Sequence, residues 1–209
     1  MSERKPTLRE RQRTETRRAI QTHAVRLFTD HGYDAVPVAD IAAAAGVSAM
    51  TVYRHFPTKE DLVLLDQPTL LIAERVAASS PTHPLVRRVG GALVAAATAL
   101  TGDDGGEGAA NKRFLLDCLR LMVSTPALRA RHLDSQYALQ QAIIEALGHP
   151  TDSEAAFGAR AATSACLAVM HTALTRWADD DGQTSLPDLI ERGLVASFGQ
   201  DAVAVDRTG

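Results

Sequence analysis

Between Val38 and Phe56 the sequence allows only two very short helices with a tight link, and that pairing restricts the fold more than any other feature. Val38-Ala-Asp-Ile41-Ala-Ala-Ala-Ala45 opens after Pro37, whose missing N–H costs nothing at a helix start, and stops at Gly46, the residue suited to a helix end. Ser48 then begins Ala49-Met50-Thr51-Val52-Tyr53-Arg54-His55-Phe56, with a hydroxyl that can cap the first backbone N–H groups. Ile41, Ala45, Val47, Val52 and Phe56 are the apolar positions that hold the two pieces together. Small Ala44 or Ala45 permits close crossing, Gly46 supplies the turn and Val47 plugs the space beneath it. The unit is a helix-turn-helix whose second helix shows polar residues outward. Upstream, Ile20, Ala24, Leu27 and Phe28 recur at i, i+4, i+7 and i+8 in an amphipathic helix running from Arg9 to a stop at His31-Gly32.

Composition extends the helical reading to the whole chain. Of 209 residues, 36 are Ala and 23 are Leu, while aromatics make up 4%, so little material suits a large sheet. The expected class is all-α: an N-terminal three-helix helix-turn-helix domain over 1–58, with 1–8 a disordered arm, followed by a helical domain over 59–209. Thr58-Lys59-Glu60-Asp61 resembles a capping box that opens a long helix through Leu62 and Leu65 to about Ala78, kinked at Pro68. Further helices are expected at about 84–101, 111–124, 126–148, 152–179 and 186–199, with Thr125-Pro126 and Ser185-Leu-Pro187 as start signals. Gly102–Gly108 reads as a loop, and the tail from Gln200 to Gly209 as frayed.

Several function classes fall away. The Gly102–Gly108 segment lacks the Gly-Lys-Ser/Thr of a phosphate loop, and its acids would repel phosphate. There is no Gly-x-Ser-x-Gly elbow, HExxH or CxxC, and the seven histidines show no ligand spacing with either cysteine, so the reading is no enzyme, no catalytic residue, no metal and no cofactor. The longest apolar stretch, Leu167 to Leu174, is interrupted by His171 and Thr172 and is far short of the roughly 20 residues that span a bilayer. The polar, Arg-rich N-terminus has no apolar core of a secretory signal, and Cys118 and Cys166 alone make no disulfide framework; a cytoplasmic protein is expected. The net charge of −3 conceals an asymmetry: residues 1–60 carry ten Lys and Arg against seven acids, and the remainder twelve against eighteen. A basic head on an acidic body suits a polyanion at the head, although a charge run is also what a solvated face looks like.

The segment from Gly32-Tyr33 through Val38, Ile41-Ala42, Ala45-Gly46-Val47-Ser48, Thr51, Tyr53, His55-Phe56 and Lys59-Glu60-Asp61-Leu62 resembles the DNA-binding domain of the tetracycline-repressor (TetR) family of bacterial regulators. The resemblance implies a cytoplasmic homodimer on a palindromic double-stranded operator, with one recognition helix per half-site and a ligand-responsive helical body. Position by position it implies DNA contacts from Thr51, Tyr53 and His55 and a backbone grip from Lys59, while Ser48 itself places helix N-terminal N–H groups where a phosphate oxygen could sit. Ala49 and Met50 stand where the family often reads bases; lacking side-chain hydrogen bonds, they leave direct readout to thymine methyls and to Arg54. Pro37 replaces the usual Thr or Ser and its hydroxyl. Each position also has a plainer reading: Tyr53 packing across the turn, Lys59 as a surface cation, and His55 packing near Phe56. Arg9, Arg11, Arg13, Arg17 and Arg18 would form a partly disordered arm that dips toward a minor groove or stays in solvent.

In the body, polar or polarisable residues interrupt apolar helices at Cys118, Arg120, Met122, Tyr137, Gln140, Ser164, Cys166, Met170 and His171. The ligand candidates among them are Cys118, Met122, Tyr137, Gln140, Cys166, Met170 and His171, each equally readable as an ordinary helix residue. Lys59 to Pro68 resembles the branch of the family described as binding acyl-CoA-like ligands, which implies a small apolar effector such as an acyl-CoA. The run Gly158, Ala161, Ala162, Ala165 suits a dimer interface, and the family builds a four-helix bundle from the last two helices of each subunit. The rival expectation is a ligand-independent DNA-binding or architectural dimer whose body only dimerises.

Overall fold

The computed structural model describes residues 7–64, 67–102, 106–148 and 153–200. Among these there are nine α-helices and one 3-10 turn, and no strand: α1 (Leu8–His31), α2 (Val38–Ala44), α3 (Ala49–His55), the 3-10 turn Glu60–Leu62, α4 (Gln67–Ala78), α5 (Leu85–Thr101), α6 (Gly106–Ser124), α7 (Pro126–Ala146), α8 (Ser153–Asp179) and α9 (Leu186–Phe198). The all-α expectation holds. The chain divides into two compact units, residues 1–64 with 121–129, and residues 65–120 with 130–209.

In the first unit each helix end has a local cause. Thr7 and Glu10 exchange bonds, Glu10 N–H to the Thr7 hydroxyl at 3.3 Å and Thr7 N–H to the Glu10 carboxylate at 2.7 Å, so α1 starts at Leu8. Arg9 to Arg18 therefore lie on a helix instead of a disordered arm, and residues 1–6 of that arm lie outside the described residues. Gly32, at φ +87°, returns its N–H to the Phe28 carbonyl at 2.9 Å and ends α1. At the end of α2, Gly46 (φ +68°) donates to Ala43 and Val47 to Ala42, the paired bonds of a Schellman turn. Beneath the turn, Ile20, Ala24 and Phe28 of α1 share the buried core with Ile41, Val52, Phe56 and Leu62.

Two expected elements begin elsewhere. The helix expected through Leu62 and Leu65 to Ala78 is instead a 3-10 turn followed by α4, and Leu64 is not helical. Pro68 is the second residue of α4, so it starts the helix instead of kinking it; a proline there removes no ladder bond. Thr58 and Asp61 do make the reciprocal bonds of a capping box, at 3.0 and 3.3 Å, but they seed only the single turn. Gly106–Gly108, expected as loop, form the opening of α6; residues 103–105 and the tail from 201 lie outside the described residues.

The second unit is built on α5, α8 and α9, which pack on one another, with α4 against α5. Small residues set how closely they approach. A Cβ on Gly90 of α5 would lie 2.7 Å from a Leu194 methyl of α9, and one on Gly193 of α9 would lie 2.7 Å from Val169 Cγ1 of α8. Val89, Leu93, Leu167, Trp177, Ile190 and Leu194 are buried in this unit. Trp177 is 1% exposed, a core residue at the end of α8, where Gly182 N–H closes the helix on its carbonyl at 2.9 Å.

Candidate nucleic-acid interface

Helix α3 is seven residues long and is fixed at both ends. At the start, the Ser48 hydroxyl accepts the Thr51 N–H at 3.1 Å and lies 3.0 Å from the Thr51 hydroxyl, so both hydroxyls sit at the helix N-terminus, where backbone N–H groups favour an anion. At the other end, the Arg17 guanidinium donates to the His55 carbonyl at 2.6 Å and lies 4.2 Å over the Phe56 ring. Cations satisfy helix C-terminal carbonyls well, so Arg17 locks α3 to α1. Only Val52 of α3 is buried; Met50 is 78% and Tyr53 50% exposed, Arg54 is exposed, and Ala49, Thr51 and His55 are half-buried. The outward face is thus Met50, Tyr53 and Arg54, with the two hydroxyls at its head. The His55 imidazole is held below its usual value by partial burial and then by the charges of Arg54, Arg13 and Arg17. Its ring centroid lies 6.4 Å from that of Phe56.

Lys59 turns inward. Its ammonium donates to the Tyr33 carbonyl at 2.6 Å and sits 4.4 Å over the Tyr33 ring. The Tyr33 hydroxyl donates to Glu60 at 2.9 Å. Burial, and then the Glu60 bond, push the Tyr33 hydroxyl up; Glu60 is held down because bonds from its own backbone, Tyr33 and Thr58 outweigh its partial burial. This cluster clamps the loop after α1 onto the segment that follows α3.

The seven body candidates are not all brought to one place. Cys118 and Cys166 are buried; burial raises both thiols, that of Cys166 to about 12, so they are neutral and unreactive, and Cys166 contacts the Val86 carbonyl at 4.0 Å. Met122 is buried within the first unit. Tyr137 is 63% exposed and lines no interior of this chain. Gln140 donates to the Ser164 hydroxyl, and Met170 and His171 are half-buried on α8. Arg120 pairs with Asp117 and Asp181 at the surface.

Two family descriptions match the chain: "Bacterial regulatory proteins, tetR family" over residues 20–65, which contain α2, α3 and the Tyr33–Lys59–Glu60 cluster, and "MftR C-terminal domain" over residues 106–196. The chain belongs to the TetR family. Among curated relatives, the regulator TcmR of Streptomyces glaucescens is 32% identical over 130 residues, 61% of this chain and 57% of TcmR, so the match spans little more than half of that relative. Among solved structures, the repressor NalD of Pseudomonas aeruginosa superposes with a TM-score of 0.59 at 23% identity, covering 92% of this chain and 99% of NalD. FadR of Thermus thermophilus, solved with lauroyl-CoA, gives 0.53 at 21%, covering 92% and 99%. At such identities these two establish a shared fold.

Within this TetR-family chain, two sets of residues escape a reading of the sequence. Arg17 is one of five arginines on one segment, and only the folded position of the α3 terminus singles it out. His132 and Gln136 stand two turns and one turn before the ligand candidate Gln140 on α7 and extend it into a polar face at helical spacing. No described helix is long and apolar enough to cross a membrane.

Proposed function

We propose that two copies of this chain bind a palindromic DNA operator as a transcriptional repressor and that a small apolar effector weakens their hold. The observation that carries the reading is the face of α3: exposed Met50, Tyr53 and Arg54 around a capped helix start, on a helix locked at its far end by Arg17. In a major groove, Arg54 would read a guanine edge and Ala49 and Met50 thymine methyls, while Ser48, Thr51, Tyr53 and His55 meet phosphates. Lys59 would reach a phosphate with the donors left free by the Tyr33 carbonyl.

Dimerisation is assigned to α8 and α9. Along α8, Phe157 (69% exposed), Ala161, Ser164, Ala168 and Thr172 form an uncharged exposed stripe. Coupling of effector to DNA has a covalent route: α6 and α7 run through the second unit, and the turn that joins them, within residues 121–129, belongs to the first. The lauroyl-CoA bound by FadR makes acyl-thioesters the first effectors to try.

Selection of bound duplexes from a random pool gives the operator, and anisotropy titration at several salt concentrations measures the affinity. Tyr53→Ala and Arg54→Ala should each weaken binding by about 1–3 kcal/mol, with Arg54→Ala also relaxing base preference. Unchanged affinity in both variants removes α3 from the interface. Ala168→Arg should give monomers in sedimentation. Calorimetric titration of acyl-CoAs with and without operator should show reciprocal weakening of about 5- to 150-fold; affinity that ignores DNA excludes that ligand as the effector.

A further inference from the structure

Helices α7 and α8 meet through polar side chains. The rings of His132 and His171 lie 5.5 Å apart, tilted by 30°. One turn along α7, the Gln136 amide nitrogen is 2.9 Å from His132 Nε2, and a further turn along Gln140 donates to the Ser164 hydroxyl and, at 3.5 Å, to the Arg160 carbonyl. The pairs run in opposite directions along the two helices, so the seam is antiparallel and continuous. Helices α5, α8 and α9 meet through buried Val, Leu, Ile, Ala and Trp side chains, whereas His132, Gln136, Gln140 and His171 are half-buried and Ser164 is exposed; a polar atom that is itself buried there costs free energy unless it finds a partner.

One of them has not. His171 Nδ1 is buried and has no hydrogen-bond partner among the described residues. Burial, and then His171 beside it, hold the His132 imidazole below its usual value. A metal ion is a poor occupant, because no group of three His, Cys, Asp or Glu side chains among the described residues could hold one, and a structural zinc takes four ligands. An anion fits both rings. A carboxylate oxygen placed against the pair accepts an N–H from each imidazole, and its negative charge makes the bond from a protonated ring charge-assisted.

We infer that the His132–His171 seam is the polar anchor of the effector site and that the effector is an amphiphilic acid, an apolar body carrying a carboxylate. The inference rests on the body's role as an effector-binding domain and narrows the chemistry of what enters it.

The test compares octanoate, decanoate and 4-tert-butylbenzoate, each against its alcohol, by calorimetry on the full chain and on His132→Leu, His171→Leu and His171→Gln. In the wild type at least one acid should bind tenfold or more tighter than its alcohol, and that acid should move the ring nitrogen signals of His132 and His171 in NMR while the alcohol does not. The leucine variants should bring acid and alcohol within twofold, and His171→Gln, which keeps a donor without a charge, should fall between. Absence of acid preference in the wild type, or an unchanged preference in the variants, overturns the anchor. Should the leucine variants fail to fold, the wild-type comparison and His171→Gln decide. Operator affinity measured on the same samples separates the two readings: acids held at the histidine pair with operator binding unmoved keep the anchor and remove the effector role.

Discussion

In residues 7–64 the helices are fixed by directional bonds; in the body they are fixed by how closely they approach. Thr7 and Glu10, Gly32, Ser48 and Thr58 with Asp61 each mark a terminus by hydrogen bonds, and Arg17, Lys59 and Tyr33 tie segments far apart in sequence. In α5, α8 and α9, Gly90 and Gly193 let neighbouring side chains touch the helix backbone, and alanines fill much of the remaining contact. The difference follows from length. Helices of seven residues, such as α2 and α3, bury too little to hold themselves and fall short of the ~12–15 residues an isolated helix needs, so every bond at their ends counts. Helices of 17 and 27 residues, α5 and α8, can rely on accumulated apolar contact.

The largest expected effect tests whether the two parts unfold separately. Phe56→Ala empties the core under α3, where Phe56 is 1% exposed, and should cost about 3–5 kcal/mol. The chain has one tryptophan, Trp177, in the body, so its fluorescence follows that part alone while far-ultraviolet dichroism follows both. The dichroism midpoint in urea should fall well before the fluorescence midpoint. Coincident midpoints would mean that head and body are one cooperative unit and that the contrast between them has no energetic meaning.

A smaller effect sharpens the role of the directional ties. Arg17→Ala loses a charged hydrogen bond to the His55 carbonyl and a stack on Phe56, for about 1–3 kcal/mol of head stability, and Arg17→Lys should recover only part of it because a single ammonium cannot replace the planar fork. Operator affinity should drop with the stability. If stability is unchanged while the slope of affinity against salt falls by about one, Arg17 serves as a phosphate contact and the lock on α3 lies elsewhere.

The smallest effect probes close approach in the body. Alanine for glycine gains about 1 kcal/mol of helix propensity, against an overpacking cost of about 1–3 kcal/mol where the new methyl has no room. At position 90 the obstacle is a Leu194 methyl at the end of a flexible side chain, whereas at 193 it is a branch of Val169, stiff at its first torsion. Gly193→Ala should therefore lower the thermal midpoint and Gly90→Ala should leave it nearly unchanged. Equal effects would show that the packing argument has the wrong residues.

The helix-turn-helix was legible from the sequence because its determinants are local: Gly46 for the left-handed turn, Ser48 for the cap, and Ile41, Val52 and Phe56 for the buried side. The starts of α5, α7, α8 and α9 were legible within about one residue for the same reason, from the capping and proline signals that precede them. The helix expected from Thr58 to Ala78 was misread as continuous, since a capping box announces a helix start without saying how far the helix runs, and Pro68 suits an interior kink and a second beginning alike. What only the tertiary structure decided are the partners of long side chains. Nothing near Arg17 in sequence points to the His55 carbonyl 38 residues on, and nothing near His132 points to His171. Periodicity fixes which face of a helix turns inward, whereas the group it meets there depends on the crossing and register of two helices, set by the packing of the whole unit.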